Sequence, residues 1–196
     1  MGVCILILSQ RGIMTRYVAL LRGINVGGNN IISMEDLKKS FEHRGFEKVR
    51  TYINSGNILF SSNLNSAEAR TNCEKLIAED FSLDIPVCVI SDTDLIEALS
   101  HAPTWWNTGT DIRHNAFFVI PPKTAQEICA YVGEVKGDYE KVAVSGEVIF
   151  WSARLADFSK TRWSKLLSGD KSMYRSITVR NANTTLKLAE LLQAED

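Results

Sequence analysis

The sequence predicts an α/β protein of the α+β type: two ferredoxin-like β-α-β-β-α-β lobes with mostly antiparallel sheets, plus a C-terminal helix. Strand-like runs and amphipathic helical stretches alternate in that order twice, and a polar, Trp-containing stretch separates the two passes. Within each pass the two middle strands are joined by a short turn, at Asn54-Ser55-Gly56-Asn57 and at Ser145-Gly146. The expected division is 1–13 N-terminal extension, 14–91 first lobe, 92–114 linking helix and loop, and 115–196 second lobe with the C-terminal helix. A chain of 196 residues with 45% hydrophobic and 23% charged residues suits two such small units.

The extension holds an apolar run, Val3 to Leu8, too short to span a bilayer and lacking the basic flank and cleavage site of a signal peptide. Met14 stands directly before the first well-formed strand, so residues 1–13 read as an addition outside the core, as an upstream start codon would produce. Tyr17 to Leu21 is a continuous apolar run, the pattern of a strand covered on both faces. After a Gly/Asn-rich loop, Ser33 opens a helix with Met34, Leu37 and Phe41 on one stripe and Gly45 past its end.

Val49–Ile53 and Ile58–Phe60 flank the first turn, and a helix from Ser66 carries Ala69, Cys73, Leu76, Ile77 and Phe81 on one face. Ile85–Ile90 closes the lobe as a strand near an edge, because Pro86 cannot donate to a ladder. A capped helix is expected over Asp92–His101 and a loop over Thr104–His114. The second lobe follows as a strand over 116–120, a helix over 124–132, strands over 141–144 and 148–151, a helix over 159–167 and a strand over 176–179. A last helix over 184–193 ends the pattern.

The formal net charge of −1 removes the simplest argument for a nucleic-acid binder. Cys4, Cys73, Cys88 and Cys129 stand far apart, with no Cys/His spacing of a metal site; they read as small buried side chains in a reducing, cytoplasmic setting. His43, His101 and His114 lie outside the polar motifs.

Three polar segments are the candidate site. In LRGINVGGNN, residues 21–30, Arg22 and Asn25 with the backbone N–H groups of Gly27 and Gly28 could surround an anion. Asn29 and Asn30 stand where a phosphate-binding P-loop needs Lys and Ser or Thr, so it is not one. In YINSGN, residues 52–57, Asn54, Ser55 and Asn57 form a turn that this topology sets beside the first loop. In TVRNANTTLKL, residues 178–188, Arg180 offers a fork-shaped cation, and Asn181 or Asn183 caps the last helix. Trp105 and Trp106 either cover apolar surface between the lobes or stack on a ligand.

Taken together, LRGINVGG, Y-I-x-S-G-N and T-x-R-N-x-N-T-x-x-L resemble the hallmarks of a bacterial family catalogued only as a domain of unknown function. The resemblance runs from about Met14 to the C-terminus. It implies a two-lobed ferredoxin-like fold and supplies no activity, cofactor or catalytic residue. Asn29 and Ala182 depart from the lysine and tryptophan that such relatives often carry.

The expected function is a cytoplasmic protein that binds a small anionic ligand, a nucleotide or phosphate ester, at the Gly/Asn/Arg loops. Alternatives are an enzyme acting on such a ligand, a binder of the nucleic-acid backbone, and a partner-binding scaffold. Nucleic acid is not favoured, because the central strands lack the exposed aromatics of an RRM. No metal and no membrane are expected; the sequence does not specify a cofactor, catalytic residues or an oligomeric state.

Overall fold

The computed structural model describes residues 14–135, 137–166 and 171–194. The extension 1–13, with Cys4, lies outside them. The first lobe runs β1 (Thr15–Leu21), α1 (Met34–His43), β2 (Glu47–Tyr52), β3 (Asn57–Ser62), α2 (Ser66–Phe81) and β4 (Val87–Ser91), followed by α3 (Asp92–Ser100). The second runs β5 (Ile112–Val119), α4 (Ala125–Val132), β6 (Glu140–Ser145), β7 (Val148–Arg154), α5 (Arg162–Leu166), α6 (Lys171–Arg175), β8 (Ile177–Asn181) and α7 (Ala182–Gln193). Each lobe has one four-stranded antiparallel sheet, in the orders β2-β3-β1-β4 and β6-β7-β5-β8. This is the expected ferredoxin-like arrangement, made twice.

The helices start where their caps are. Ser33 accepts from the Asp36 N–H, and Asn65 with Glu68 and Thr124 with Glu127 form reciprocal capping boxes. Ser91 caps α3 and Asn181 caps α7 at the same point after β4 and β8. The registers among β1, β3 and β4 match those among β5, β7 and β8, while β2–β3 carries a register shift between Glu47 and Arg50 that β6–β7 lacks. Val18 pairs with Leu59 and Ile90, while Ala116 pairs with Phe150 and Arg180; Leu20 pairs with Asn57 and Cys88, while Phe118 pairs with Val148 and Thr178. The two lobes are therefore equivalent position by position along β1/β5, β3/β7 and β4/β8.

Alternate residues of β1 enter different cores. Tyr17, Ala19 and Leu21 pack under α1 and α2, while Val18 and Leu20 face a central core shared with the other lobe. That central core takes in Leu95 and Ala98 of α3, Ala116 and Phe118 of β5, Phe150 of β7 and Leu188 and Leu192 of α7. The continuous apolar run of β1 is thus explained by cover on both faces. Trp106 belongs to this core, edge-on to Phe150, with its indole N–H donated to the Asn115 carbonyl. A third core lies under α4 and α5, around Phe117, Trp151 and Trp163. The aromatics of β1 and β3, Tyr17 and Phe60, stack on one another inside the first core and present no open base-stacking platform.

Several boundaries differ from those the sequence suggests. The helix expected over 159–167 is a 3-10 helix over Leu155–Lys160, then the short α5. The extended backbone of Thr161 breaks the run, and its hydroxyl caps Ser164. β5 begins at Ile112 rather than Ala116, its polar first residues being held by Arg154 to Trp151 of β7. α7 begins at Ala182, two residues earlier than expected, because the capping residue is Asn181 and not Asn183. The turn of YINSGN is a four-residue loop, 53–56, between the paired Tyr52 and Asn57. Among the described residues no helix is long and apolar enough to cross a membrane.

Candidate functional site

The three polar segments meet at the C-terminal end of β1. Arg180 leaves β8 of the second lobe, is 7% exposed, and delivers its guanidinium into the first lobe. Its Nη2 donates to the carbonyls of Leu21, Ser55 and Gly56 at 3.0, 3.0 and 3.1 Å. Its Nη1 donates to Thr178 Oγ1 and the Val179 carbonyl, and its Nε to Asn57 Oδ1. Asn57 is itself fully buried, and its Nδ2 donates to the Tyr52 carbonyl and to Ser55 Oγ. Burial lowers the Arg180 pKa to about 10, which leaves it cationic at neutral pH. Every one of these acceptors is a neutral oxygen of the protein.

The remaining segments are arranged around this clamp. Asn25, at a positive φ of 54°, donates to the carbonyls of Ile32 and Asn54 and accepts from the Ile32 N–H, so it ties the first loop to the hairpin. Gly27 and Gly28, both at positive φ, form the exposed tip of a small finger closed by Asn29 N–H to the Val26 carbonyl. Gly56 is needed for contact as well as conformation: a Cβ there would stand 2.8 Å from Leu21 Cβ and 2.9 Å from Ile24. Asn181 accepts the Thr184 N–H as the α7 cap, and Asn183 is exposed in the first turn. Arg22 lies over the Tyr174 ring at 3.9 Å and donates Nε to the Tyr174 carbonyl, so it too crosses between lobes. Lys187 is paired with Glu190 at 2.6 Å.

The structure therefore unites Arg22, Asn25, Asn54, Ser55, Asn57 and Arg180 in one inter-lobe junction. It spends the Arg180 donors on backbone, amide and hydroxyl oxygens, so this arginine is not presented to an anion.

The equivalent junction, where β4 of the first lobe faces the β6–β7 turn of the second, is open. It is a cavity of about 430 Å³. Its walls are Cys88, Val89, Ile90, Ala98, Phe118, Val119, Pro121 and Val148, and Asp94, Glu97 and Glu147 stand among its more exposed lining. Glu147 accepts the Ala125 N–H at the start of α4, and Asp94 accepts the Ser91 hydroxyl. Arg70 is fixed at the edge by its bond to the Pro121 carbonyl. Burial pushes the Cys88 thiol up to about 12, so it remains protonated and donates to the Val119 carbonyl. No group of three or more metal-ligating residues occurs among the described residues.

Cys88 and the Ser145-Gly146 turn are visible in the sequence, but nothing there marks the cavity residues as a site. The signal that finds them is the register equivalence of the two lobes, which exists only in three dimensions.

The family model described as "Protein of unknown function (DUF1697)" matches residues 14–150, a span that holds the first two polar segments and ends before the third. A comparison with curated proteins finds no match. Among solved structures, the conserved bacterial protein SP0830 from Streptococcus pneumoniae is 33% identical, with 92% of this chain and 99% of that one covered and a TM-score of 0.82. With the model spanning all of the first lobe and half of the second, and this relative sharing the two-lobed fold, the chain belongs to the DUF1697 family of proteins of unknown function.

Proposed function

We propose that the chain is a cytoplasmic ligand-binding protein, in which the Arg180 junction locks the lobes together and the open junction holds the ligand. The observation that carries this reading is the cavity itself. At about 430 Å³ it falls within the size range of small-molecule sites, with apolar walls and a few polar groups at one side. Its position between two rigid sheets supplies a preformed shape. Binding without covalent chemistry agrees with the Cys88 thiol being held protonated. The cytoplasm agrees with Cys73, Cys88 and Cys129 being free thiols.

The test is a small-molecule screen by thermal shift, run on the wild type and on Ser145→Trp, which would fill the cavity from the turn that lines it. Compounds in this site should raise the wild-type midpoint and leave the variant unmoved. Hits that stabilise both proteins equally would place binding elsewhere.

A second reading keeps the anionic ligand, a nucleotide or phosphate ester, at the polar loops. It is favoured by Arg22, half-buried on the Tyr174 ring, whose pKa is lowered mainly by burial and further by the neighbouring Arg175. In the same screen, phosphate or nucleotide stabilisation abolished by Arg22→Ala would support it.

A further inference from the structure

The class of ligand rests on the open junction being the binding site, as proposed above, and that junction shares its backbone plan with the filled one. In the filled junction the Arg180 guanidinium is received by the carbonyls of Leu21, Ser55 and Gly56 and by the Asn57 side chain. The strand registers and the matching turn hydrogen bonds make Val119, Glu147 and Val148 the counterparts of Leu21, Gly56 and Asn57, and these line the cavity with Gly146 of the second lobe's shorter, two-residue turn. The turns are anchored alike: Leu21 donates its N–H to the Gly56 carbonyl at 2.8 Å, and Val119 to the Glu147 carbonyl at 3.0 Å. What differs is the arm. Ile90 occupies the Arg180 position and has no donor to give these carbonyls.

We infer that the cavity takes a guanidinium or primary ammonium group on an apolar stem, its charged head seated against the Val119–Glu147 carbonyls as the Arg180 head is seated in the other junction. Carbonyl oxygens have two lone pairs, so the Val119 N–H on Glu147 and the Cys88 thiol on Val119 leave acceptor capacity in place. The lining charge points the same way. Asp94, Glu97 and Glu147 sit where the filled junction has Thr184, Lys187 and Gly56, so a cation is attracted here and an anion repelled. Arg70 offsets part of this field, but its guanidinium is bound to Pro121. The apolar walls of Val89, Ile90, Phe118 and Val148 suit a stem of a few methylenes.

The experiment is an amide NMR titration of the full chain with butylguanidinium, butylammonium, butylurea and butyrate. Butylguanidinium should shift the Val119, Gly146 and Glu147 amides and bind about tenfold or more tightly than butylurea, which has the same shape without charge. Ile90→Arg should supply the missing arm from within and abolish butylguanidinium binding. Should that variant fail to fold, Glu97→Gln carries the test on its own, weakening butylguanidinium while leaving butylurea unchanged. Butylurea or butyrate binding in the cavity as tightly as butylguanidinium would overturn the cationic class and leave the binding reading intact. No shift at cavity amides with any of the four, together with a screen empty of cavity ligands, would overturn both.

Discussion

The two junctions between the lobes begin from one backbone plan and end in opposite states. In one, a strand of the second lobe sends Arg180 into the first lobe's hairpin, and the space is filled by hydrogen bonds. In the other, a strand of the first lobe offers Ile90 to the second lobe's hairpin, and a cavity remains. The difference shows how a buried cation is tolerated without a carboxylate. Desolvation of a guanidinium is expensive, and it is offset here because each of its nitrogens meets fixed oxygens in a planar fork. Those oxygens come from the ends of β1 and β3, the 53–56 turn and β8 itself.

Removing the arm should therefore have the largest effect. Arg180→Ala would leave the Leu21 and Ser55 carbonyls and Asn57 Oδ1 without this donor in a buried junction, with the Gly56 carbonyl keeping its Leu21 N–H, and should destabilise by roughly 3–5 kcal/mol. Arg180→Lys should recover only part of this, since an ammonium cannot span the fork. Ile90→Ala at the open junction removes half-buried methyl groups beside existing space, and should cost about 1 kcal/mol. Urea denaturation of the three variants checks the ranking. Equal losses at positions 180 and 90 would mean that the two junctions bear alike on stability and that the hydrogen bonds add nothing.

The turns supply a second contrast. Gly56 stands at a positive φ of 76°, and a Cβ added there would lie within 2.9 Å of Leu21 and Ile24, whereas one added at Gly146, at 56°, would meet nothing within 4 Å. Gly56→Ala should thus combine backbone strain with a clash against Leu21 Cβ, which cannot swing away, for a loss of roughly 2–4 kcal/mol. Gly146→Ala meets strain alone, and should cost about 1 kcal/mol. Thermal midpoints of the two variants decide it, and a Gly146 variant as damaged as the Gly56 variant would show that conformation alone sets the demand for glycine.

Much of the fold was legible in the sequence because its signals are local. The apolar run of Tyr17–Leu21, the caps at Ser33 and Thr124 and the glycine-bearing turns each declare an element without reference to anything distant. The clustering of Arg22, Asn25 and Asn57 followed from topology, since β1 and β2 both run antiparallel to β3 and end at one edge. What the residues there do was not legible. An arginine that binds an anion and an arginine that binds carbonyls look the same in a sequence; only the position of Leu21 and Ser55 across the junction tells them apart. The helix expected over 159–167 began late because Thr161 is extended and caps a new start at Arg162, a choice between cap and helix interior that residue type alone leaves open.

The smallest effect expected lies at the start of the matched strands, where Arg16 of β1 corresponds to His114 of β5. Arg16 is partly exposed and pairs with Asp92 at 3.0 Å, so its contribution should be under about 1 kcal/mol and fade in salt. His114 instead shares a 2.6 Å hydrogen bond with the Ser152 hydroxyl, and its Nε2 is buried with no partner among the described residues. Burial is the main cause that lowers its pKa, outweighing the raising influence of the nearby Thr108 backbone. In the folded state the ring thus resists protonation more than in the unfolded chain. The stability that follows is complete above the unfolded value of about 6.5 and is lost as pH falls below it, because the unfolded state then binds more protons. The loss stops growing once pH passes below the folded pKa. Urea midpoints at about pH 7.5 and about pH 5.5 should show the wild type losing more stability than His114→Gln, while Arg16→Ala shifts both midpoints by the same small amount. A gap between wild type and His114→Gln that does not change with pH would mean that the ring is solvated and that only the Ser152 bond holds it.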